Sequence, residues 1–272
     1  MKDKTITQTL FDRLAEHNII QHHINEYYDH SIVPLGGVAV DPVTRKPIES
    51  LPANLHELTN HDLRNVNMAR ANDNITKILN DGDVEAIEAE VAVKMQDVLD
   101  ALIINTEADH NTKDTAKRIA KMFVRETFAG RYTHRPDITE FPNAKKLDQL
   151  YIVGPISIRS TCAHHFQNIV GTCHIGVYPG DNVIGLSKFN RLVDWYASRP
   201  QIQEELTVQI ADDIEEATKC KGLAVVIRAE HMCVTQRGVK EHTSNMTTSV
   251  LRGCLRDDEK IRQEFFQLLG NG

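Results

Sequence analysis

Residues 160–166 read STCAHHF, which puts a thiol at Cys162 and imidazoles at His164 and His165 in one short stretch. Cys162 and His165 have two residues between them, a spacing that lets both side chains point at one ion. Sulfur with imidazole nitrogen is a donor set that zinc takes in proteins, and a catalytic zinc keeps three protein ligands and a water. A third ligand is therefore wanted from elsewhere. The stretch AEHMCV offers one, because His231 and Cys233 stand two apart at the end of an apolar run and so project to one face of a strand. Cys233 completes a Cys-His-Cys set and leaves His164 and His231 as titratable groups beside a zinc-bound water, which suits hydrolytic acid–base chemistry near neutral pH. A structural zinc would take a fourth ligand from Cys173, Cys254 or a spare histidine, and buried cysteines and histidines without metal are the blandest account of the same residues. The spacing favours the catalytic zinc.

Further residues could hold an anion and a base. GLSKFNRLV sets Ser187, Lys188 and Arg191 at the start of a predicted helix, where free backbone donors and the positive end of the dipole attract phosphate. VTQRGV adds Arg237, and an earlier helix adds Lys117, Arg118 and Lys121. Any one of these alone reads better as a solvated helix face. Together, in a chain of net charge -7, they are the places where a polyphosphate can be held. The same acidic balance argues against nucleic acid or an anionic membrane surface as the main partner. RPQIQEEL places Gln203 and Glu204 in the first turn of a helix that starts near Pro200; a buried carboxylate there would read the paired ring and amino hydrogens of a guanine edge, while Glu205 reads as surface.

The elements that must carry these residues follow from periodicity. Ile6, Leu10, Phe11 and Leu14 predict a short amphipathic helix, followed by the arm SIVPLGGVAVDPVTRKPIESLPANL, rich in proline and glycine. His22 and His23 on that first segment read as polar surface. Residues 55–128 read as three helical pieces, ending at Gly82, near Ile104 and at Gly130, with the glycines suited to helix C-caps. LYIVGPISIRS, NIVGTCHIGVYP, GLAVVIRAEHMCV and TSNMTTSVLRG read as strands. LSKFNRLVDWYASR, QIQEELTVQIADDIEEATK and DEKIRQEFFQLL read as helices, the second with Ile202, Leu206, Ile210 and Ile214 in a buried stripe. The expected division is residues 1–54, a helix and extended arm; 55–130, a helical region; and 131–272, an α+β catalytic unit whose two helices sit between strand pairs. No run approaches the roughly 20 apolar residues of a membrane span, and MKDKTITQTLFDRL has no apolar signal core. With five cysteines in no scaffold spacing, a reducing cytoplasmic setting is expected.

STCAHHF, VIGLSKFNRLV, RPQIQEEL and EHMCVTQRGV, in this order, resemble the motifs of the GTP cyclohydrolase I family over about residues 85–268. The family's enzymes use zinc to convert GTP to dihydroneopterin triphosphate and formate. The resemblance implies zinc on Cys162, His165 and Cys233, proton transfer by His164 and His231, and guanine held by Gln203 and Glu204. It implies triphosphate on Ser187, Lys188, Arg191 and Arg237, with Arg118 and Lys121 contributed from another part of the assembly. The fold implied is the tunnelling fold, an antiparallel sheet with two helices packed on it, assembled as a homo-oligomer, usually a decamer with sites between subunits. Three positions depart from the family pattern. Ala163 stands where Glu is usual, Ala116 where the helix motif Thr-Pro-x-Arg has Pro, and Met246 where a Thr is usual. Two rival readings accompany this one: a tunnelling-fold enzyme acting on another guanine nucleotide, a pterin or a 7-deazaguanine, and a catalytically silent, zinc-stabilised oligomer that binds a nucleotide.

Overall fold

The computed structural model describes residues 5–10, 12, 13 and 69–270. The proline-bearing arm, His22, His23, Phe11 and Leu14 lie outside the described residues. Ile6 and Leu10 are on a helical segment at 6–10, and Leu10 is buried against Ile75 and Ile78.

Five strands form the main sheet in the order β5-β2-β3-β6-β7, with β2 Tyr151–Cys162, β3 Asn168–Tyr178, β5 Pro200–Gln201, β6 Gly222–His231 and β7 Met246–Gly253. All its pairings are antiparallel except the short parallel contact of β5 with the end of β2. β1 Glu140–Pro142 and β4 Asn182–Ile184 pair separately. Along β2, buried Ile156, Ile158 and Ser160 alternate with exposed Ser157 and Arg159, the period of a sheet that is covered on one face at this end. The cover is α4 (Leu186–Ala197) and α5 (Gln203–Thr218), whose Phe189, Leu192, Leu206, Ile210 and Ile214 pack against Ile158, Ile175, Val177 and Ile227. At the other end α8 (Glu259–Gly270), which follows the short α7 (Cys254–Asp257), covers the second face, seating Phe265 against Ala224, Val226 and Leu150. That double burial explains why LAVVI in β6 runs apolar without alternation. The strand–strand–helix–helix–strand–strand order, with both helices on one face, is the α+β tunnelling-fold arrangement.

Ahead of the sheet lie α1 (Asp83–Ala101), α2 (Thr115–Lys121), a π-helical turn at Met122–Thr127 and the short α3 (Ala129–Tyr132). The predicted helix ending at Gly82 is corrected over its described part: residues 69–82 hold only a 3-10 turn, Thr76–Ile78, and Gly82, at φ 84°, stands at the N-terminus of α1 instead. The predicted helical piece ending at Gly130 begins at Thr115 and is interrupted by the π turn. Gly130 does not cap it. A Cβ there would lie 2.1 Å from the Trp195 carbonyl oxygen and 2.9 Å from that of Ser198, so Gly130 is required by close backbone approach to α4. Gly130→Ala is expected to destabilise the fold by about 3 kcal/mol, since neither contact can swing away; a melting temperature within 2 °C of the parent, where roughly 6–12 °C is due, would contradict this.

Two predicted strand and helix limits also move. β6 ends at His231, and Met232–Thr235 forms the helical turn α6, so Cys233 is not on the strand. Pro200 belongs to β5, and Ile202 is the residue at the N-terminus of α5. Among the described residues no helix is long and apolar enough to cross a membrane.

Candidate active site

Register brings the two chemical stretches together. Ile169 of β3 pairs with Ser160 of β2 on one side and with His231 of β6 on the other. The β2–β3 turn carrying Cys162 to Phe166 and the α6 turn carrying Cys233 therefore emerge from the same end of the sheet. The turn is closed by the Phe166 N–H donating to the Cys162 carbonyl at 2.9 Å and the Cys162 N–H donating to the Gln167 carbonyl at 2.8 Å. The Ala163 N–H donates to the Gln201 carbonyl at 3.1 Å and fastens it to β5.

The sulfurs of Cys162 and Cys233 are 3.9 Å apart. Two thiolates on one tetrahedral zinc with bonds of about 2.3 Å would be about 3.8 Å apart, so the pair already has the spacing of two ligands. Burial, then the neighbouring Cys162 sulfur, pushes the Cys233 thiol up, while the Arg237 guanidinium pulls the other way. Two adjacent thiols resist double ionisation, and a cation between them removes that resistance. The imidazole beside them is His164, with Nδ1 at 3.7 Å from Cys162 Sγ. His165 is exposed on the same turn, its ring centroid 6.5 Å from that of His164. Among the described residues no three Cys, His, Asp or Glu converge as a ready cation site.

Gln203 and Glu204, adjacent in sequence, have separate surroundings. Gln203 is 0% exposed, and its Nε2 donates to the carbonyls of Ile227 at 3.0 Å and Met246 at 3.2 Å and to Thr248 Oγ1 at 3.0 Å. Carbonyl oxygens only accept, so this end of the amide is nitrogen and the oxygen faces His231, whose Nε2 lies 2.8 Å away. His231 Nε2 must then carry the hydrogen, and Nδ1 is the nitrogen free to exchange a proton. With both ends of its amide engaged inside the chain, Gln203 orients His231. Glu204 is exposed on the first turn of α5. Burial lowers the pKa of His231, and the Glu204 carboxylate opposes that shift. Glu204→Gln is therefore expected to move the His231 titration to lower pH in metal-free protein, followed by imidazole proton resonances; a move to higher pH would show that the carboxylate does not act on this ring.

The cations are more dispersed. Arg237 lies beyond α6, near enough to act on Cys233. Ser187 and Arg191 are exposed on the first half of α4, and Lys188 Nζ donates to the Asp137 carbonyl at 2.7 Å. Arg118 and Lys121 are exposed on α2, Arg118 with Asp114 at 3.9 Å. Among the described residues, no hydrogen bond or ion pair ties these side chains to the Cys162 turn. Within one chain the structure brings Cys162, Cys233, His164 and His165 to one end of the sheet, with His231 against Gln203 and within the field of Glu204, and leaves Ser187, Arg191, Arg118 and Lys121 exposed.

The departures are accommodated locally. Ala163 is half-buried and contributes its N–H to the turn, Ala116 is buried on α2, and Met246 serves Gln203 through its backbone carbonyl. Sequence reasoning missed Thr207, whose hydroxyl donates to the Gln203 carbonyl at 2.7 Å and lies 2.7 Å from that of Thr248. Its i, i+4 spacing from Gln203 was the available signal. It also missed Phe123, Phe128 and the structural part played by Phe166, for which no sequence signal stands out.

A tunnelling-fold sheet carries paired thiols and imidazoles at one end, over a carboxamide that orients one imidazole, which puts groups able to exchange protons side by side. Residues 91–270 match the family model described as GTP cyclohydrolase I. The chain belongs to the GTP cyclohydrolase I family. It is 40% identical over 186 residues to GTP cyclohydrolase 1 of Yersinia pseudotuberculosis, covering 68% of this chain and 84% of that one. GTP cyclohydrolase 1 of Erwinia tasmaniensis matches with the same identity and coverage, and that of Salmonella arizonae with 40% identity over 68% of this chain and 83% of its own. A solved structure of the archaeosine synthase QueF-Like in the apo form aligns at a TM-score of 0.30 and 14% identity, over 44% of this chain and 97% of that one, too weak a likeness to inform function.

Proposed function

We propose that the chain is a zinc-dependent hydrolase that converts GTP to 7,8-dihydroneopterin triphosphate and formate. The observation that carries this is the 3.9 Å pair of Cys162 and Cys233 sulfurs beside His164 and His231, within a chain of this family. The donor set fits zinc, with Cys162, Cys233 and His165 as the ligands. Bound there, zinc supplies a Lewis acid that acidifies water.

The chain's own residues account for the rest. Glu204 accepts hydrogens from the guanine ring nitrogen and amino group and keeps the base in register, with Gln203 behind it as the group that orients His231. Ser187, Lys188, Arg191 and Arg237 hold the triphosphate. His231, through Nδ1, and His164 transfer protons at the purine nitrogens as water adds at carbon 8 and the five-membered ring opens. A second water releases formate from the resulting formamide, and one water leaves when the rearranged ribose closes onto the freed amine, so one water is consumed overall.

Arg118 and Lys121 act from a neighbouring copy in a homo-oligomer, a decamer in this reading. Their outward exposure, 70% for the Arg118 side chain, supports a role across a subunit boundary. In this reading the catalytic unit is residues 131–272, and Arg118 and Lys121 are presented from α2, ahead of it in the chain. A second ligand assignment has an observation of its own. Zinc with bonds of about 2.3 Å to sulfur and about 2.0 Å to nitrogen would hold the two about 3.5 Å apart, and it is His164 that lies 3.7 Å from Cys162. His165→Ala losing zinc while His164→Ala keeps it supports the first assignment, and the reverse supports the second.

The test of the function is incubation of zinc-loaded protein with GTP, following pterin absorbance after oxidation together with released formate. Both products are expected, and both should vanish in His231→Ala. Neither product from a correctly assembled, zinc-bearing protein would remove the GTP reading and point to another guanine nucleotide or a silent nucleotide-binding oligomer.

A further inference from the structure

Phe166 closes the turn that carries His164 and His165, and its backbone φ is 52°, a left-handed conformation that a bulky side chain adopts only when something holds it. The ring is held. It packs edge-on against Phe128, with centroids 5.2 Å apart at 63°, and against Phe123, 6.0 Å apart at 64°. Phe123 and Phe128 are themselves stacked, 4.9 Å apart with 3° between their planes.

That stack depends on the π-helical turn. On an α-helix, residues five apart point about 140° away from one another. Here the Phe128 N–H donates to the Phe123 carbonyl at 2.9 Å, an i to i+5 bond that widens the helix and brings both rings to one side. The same helical path carries Arg118 and Lys121 on α2 immediately before it.

We infer that Phe166 is a positioning residue for the metal turn: the Phe123–Phe128 stack anchors it, and the anchor sets where the two imidazoles stand relative to Cys162. The turn has a fixed end at Cys162, held by sheet pairing, and a second fixed end at Phe166, held by the rings. His164 and His165 lie between the two, both exposed. The aromatic stack thus couples the geometry of the thiol–imidazole site to the helix bearing two of the candidate phosphate cations. This rests on the zinc reading given above.

The test uses the full chain and cobalt(II) as the probe, titrated into metal-free protein and read by the ligand-field absorbance of a tetrahedral site. Phe166→Gly relieves the left-handed backbone but removes the ring; Phe166→Ala removes the ring and keeps the strain; Phe166→Tyr keeps the ring, with its added hydroxyl on a side chain that is 49% exposed. Cobalt affinity is expected to fall about 10- to 100-fold in both Gly and Ala variants and to be restored in the Tyr variant, with assembly unchanged by sedimentation. Should Phe166→Ala be recovered only as aggregate, Phe123→Leu, which leaves the turn's own sequence intact, carries the same expectation. Unchanged affinity in the Gly and Ala variants, or loss in Ala with full retention in Gly, would overturn the inference, the latter by showing that backbone conformation alone sets the turn. A parent protein that binds no cobalt would overturn the zinc reading and this inference with it, an outcome separate from parent binding with indifferent variants.

Discussion

Cys162→Ser with Cys233→Ser is expected to reduce bound zinc from about one per chain to near zero and to lower GTP turnover by at least about 1000-fold, with the sheet still folded. The two sulfurs are 3.9 Å apart, so removing both takes away the soft donors and leaves imidazole alone to hold the ion. The hydroxyls match the thiols closely in shape, and Cys162, at 4% exposure, leaves no sizeable cavity when replaced. Zinc by elemental analysis, far-UV circular dichroism and pterin release on one preparation separate the alternatives. A double variant that still carries stoichiometric zinc would place the metal elsewhere, and one that loses zinc yet turns over GTP would separate the reaction from this pair.

Gln203→Leu is the second variant with a large expected effect, and it acts in two ways. The fully buried amide donates to Ile227, Met246 and Thr248 and accepts from His231, so its loss takes a partner from two carbonyls and an imidazole N–H, while the Thr248 hydroxyl keeps Thr207 at 2.7 Å. Stranded buried groups cost about 1–3 kcal/mol each before relaxation, and about 3 kcal/mol of lost stability is expected in total. The catalytic effect is separable. Without the acceptor at Nε2, His231 is free to take either tautomer and to turn, and kcat is expected to fall about 100-fold with KM little changed. Denaturant unfolding and steady-state kinetics on one sample check both parts. Loss of stability with kcat intact would make Gln203 a structural residue only, whereas loss of kcat alone would show that the sheet finds other partners for its carbonyls.

The chemistry in this sequence was legible because ligand types and short spacings are local. Cys162 with His164 and His165, and His231 with Cys233, could be picked out as candidate groups before any fold was known, and the structure brings the two stretches to one end of the sheet. The strands over 150–178 and 222–253 were legible for the same reason, since alternation and β-branched runs are carried by neighbouring residues. What failed to read were features that depend on distant contacts. Gly130 looked like a helix cap and is a point of close backbone approach to Trp195. Cys233 looked like the last position of a strand and sits on a helical turn, because β6 loses its β3 partner beyond Ile169. Gln203 and Glu204 looked like one binding pair; a single step along α5 turns one to the core and the other to solvent.

By itself, then, the sequence determined which groups could do chemistry, the order in which they occur and the elements that carry them, all properties of short-range pattern. Tertiary structure alone decided that thiols 71 residues apart meet at 3.9 Å, through the strand register that flanks Ile169 with Ser160 and His231. It alone decided that Phe123, Phe128 and Phe166 lock the histidine turn. Register and packing are set by the burial of the whole sheet against α4, α5 and α8, a free energy summed over residues far apart in the chain, and no local window of sequence contains that sum.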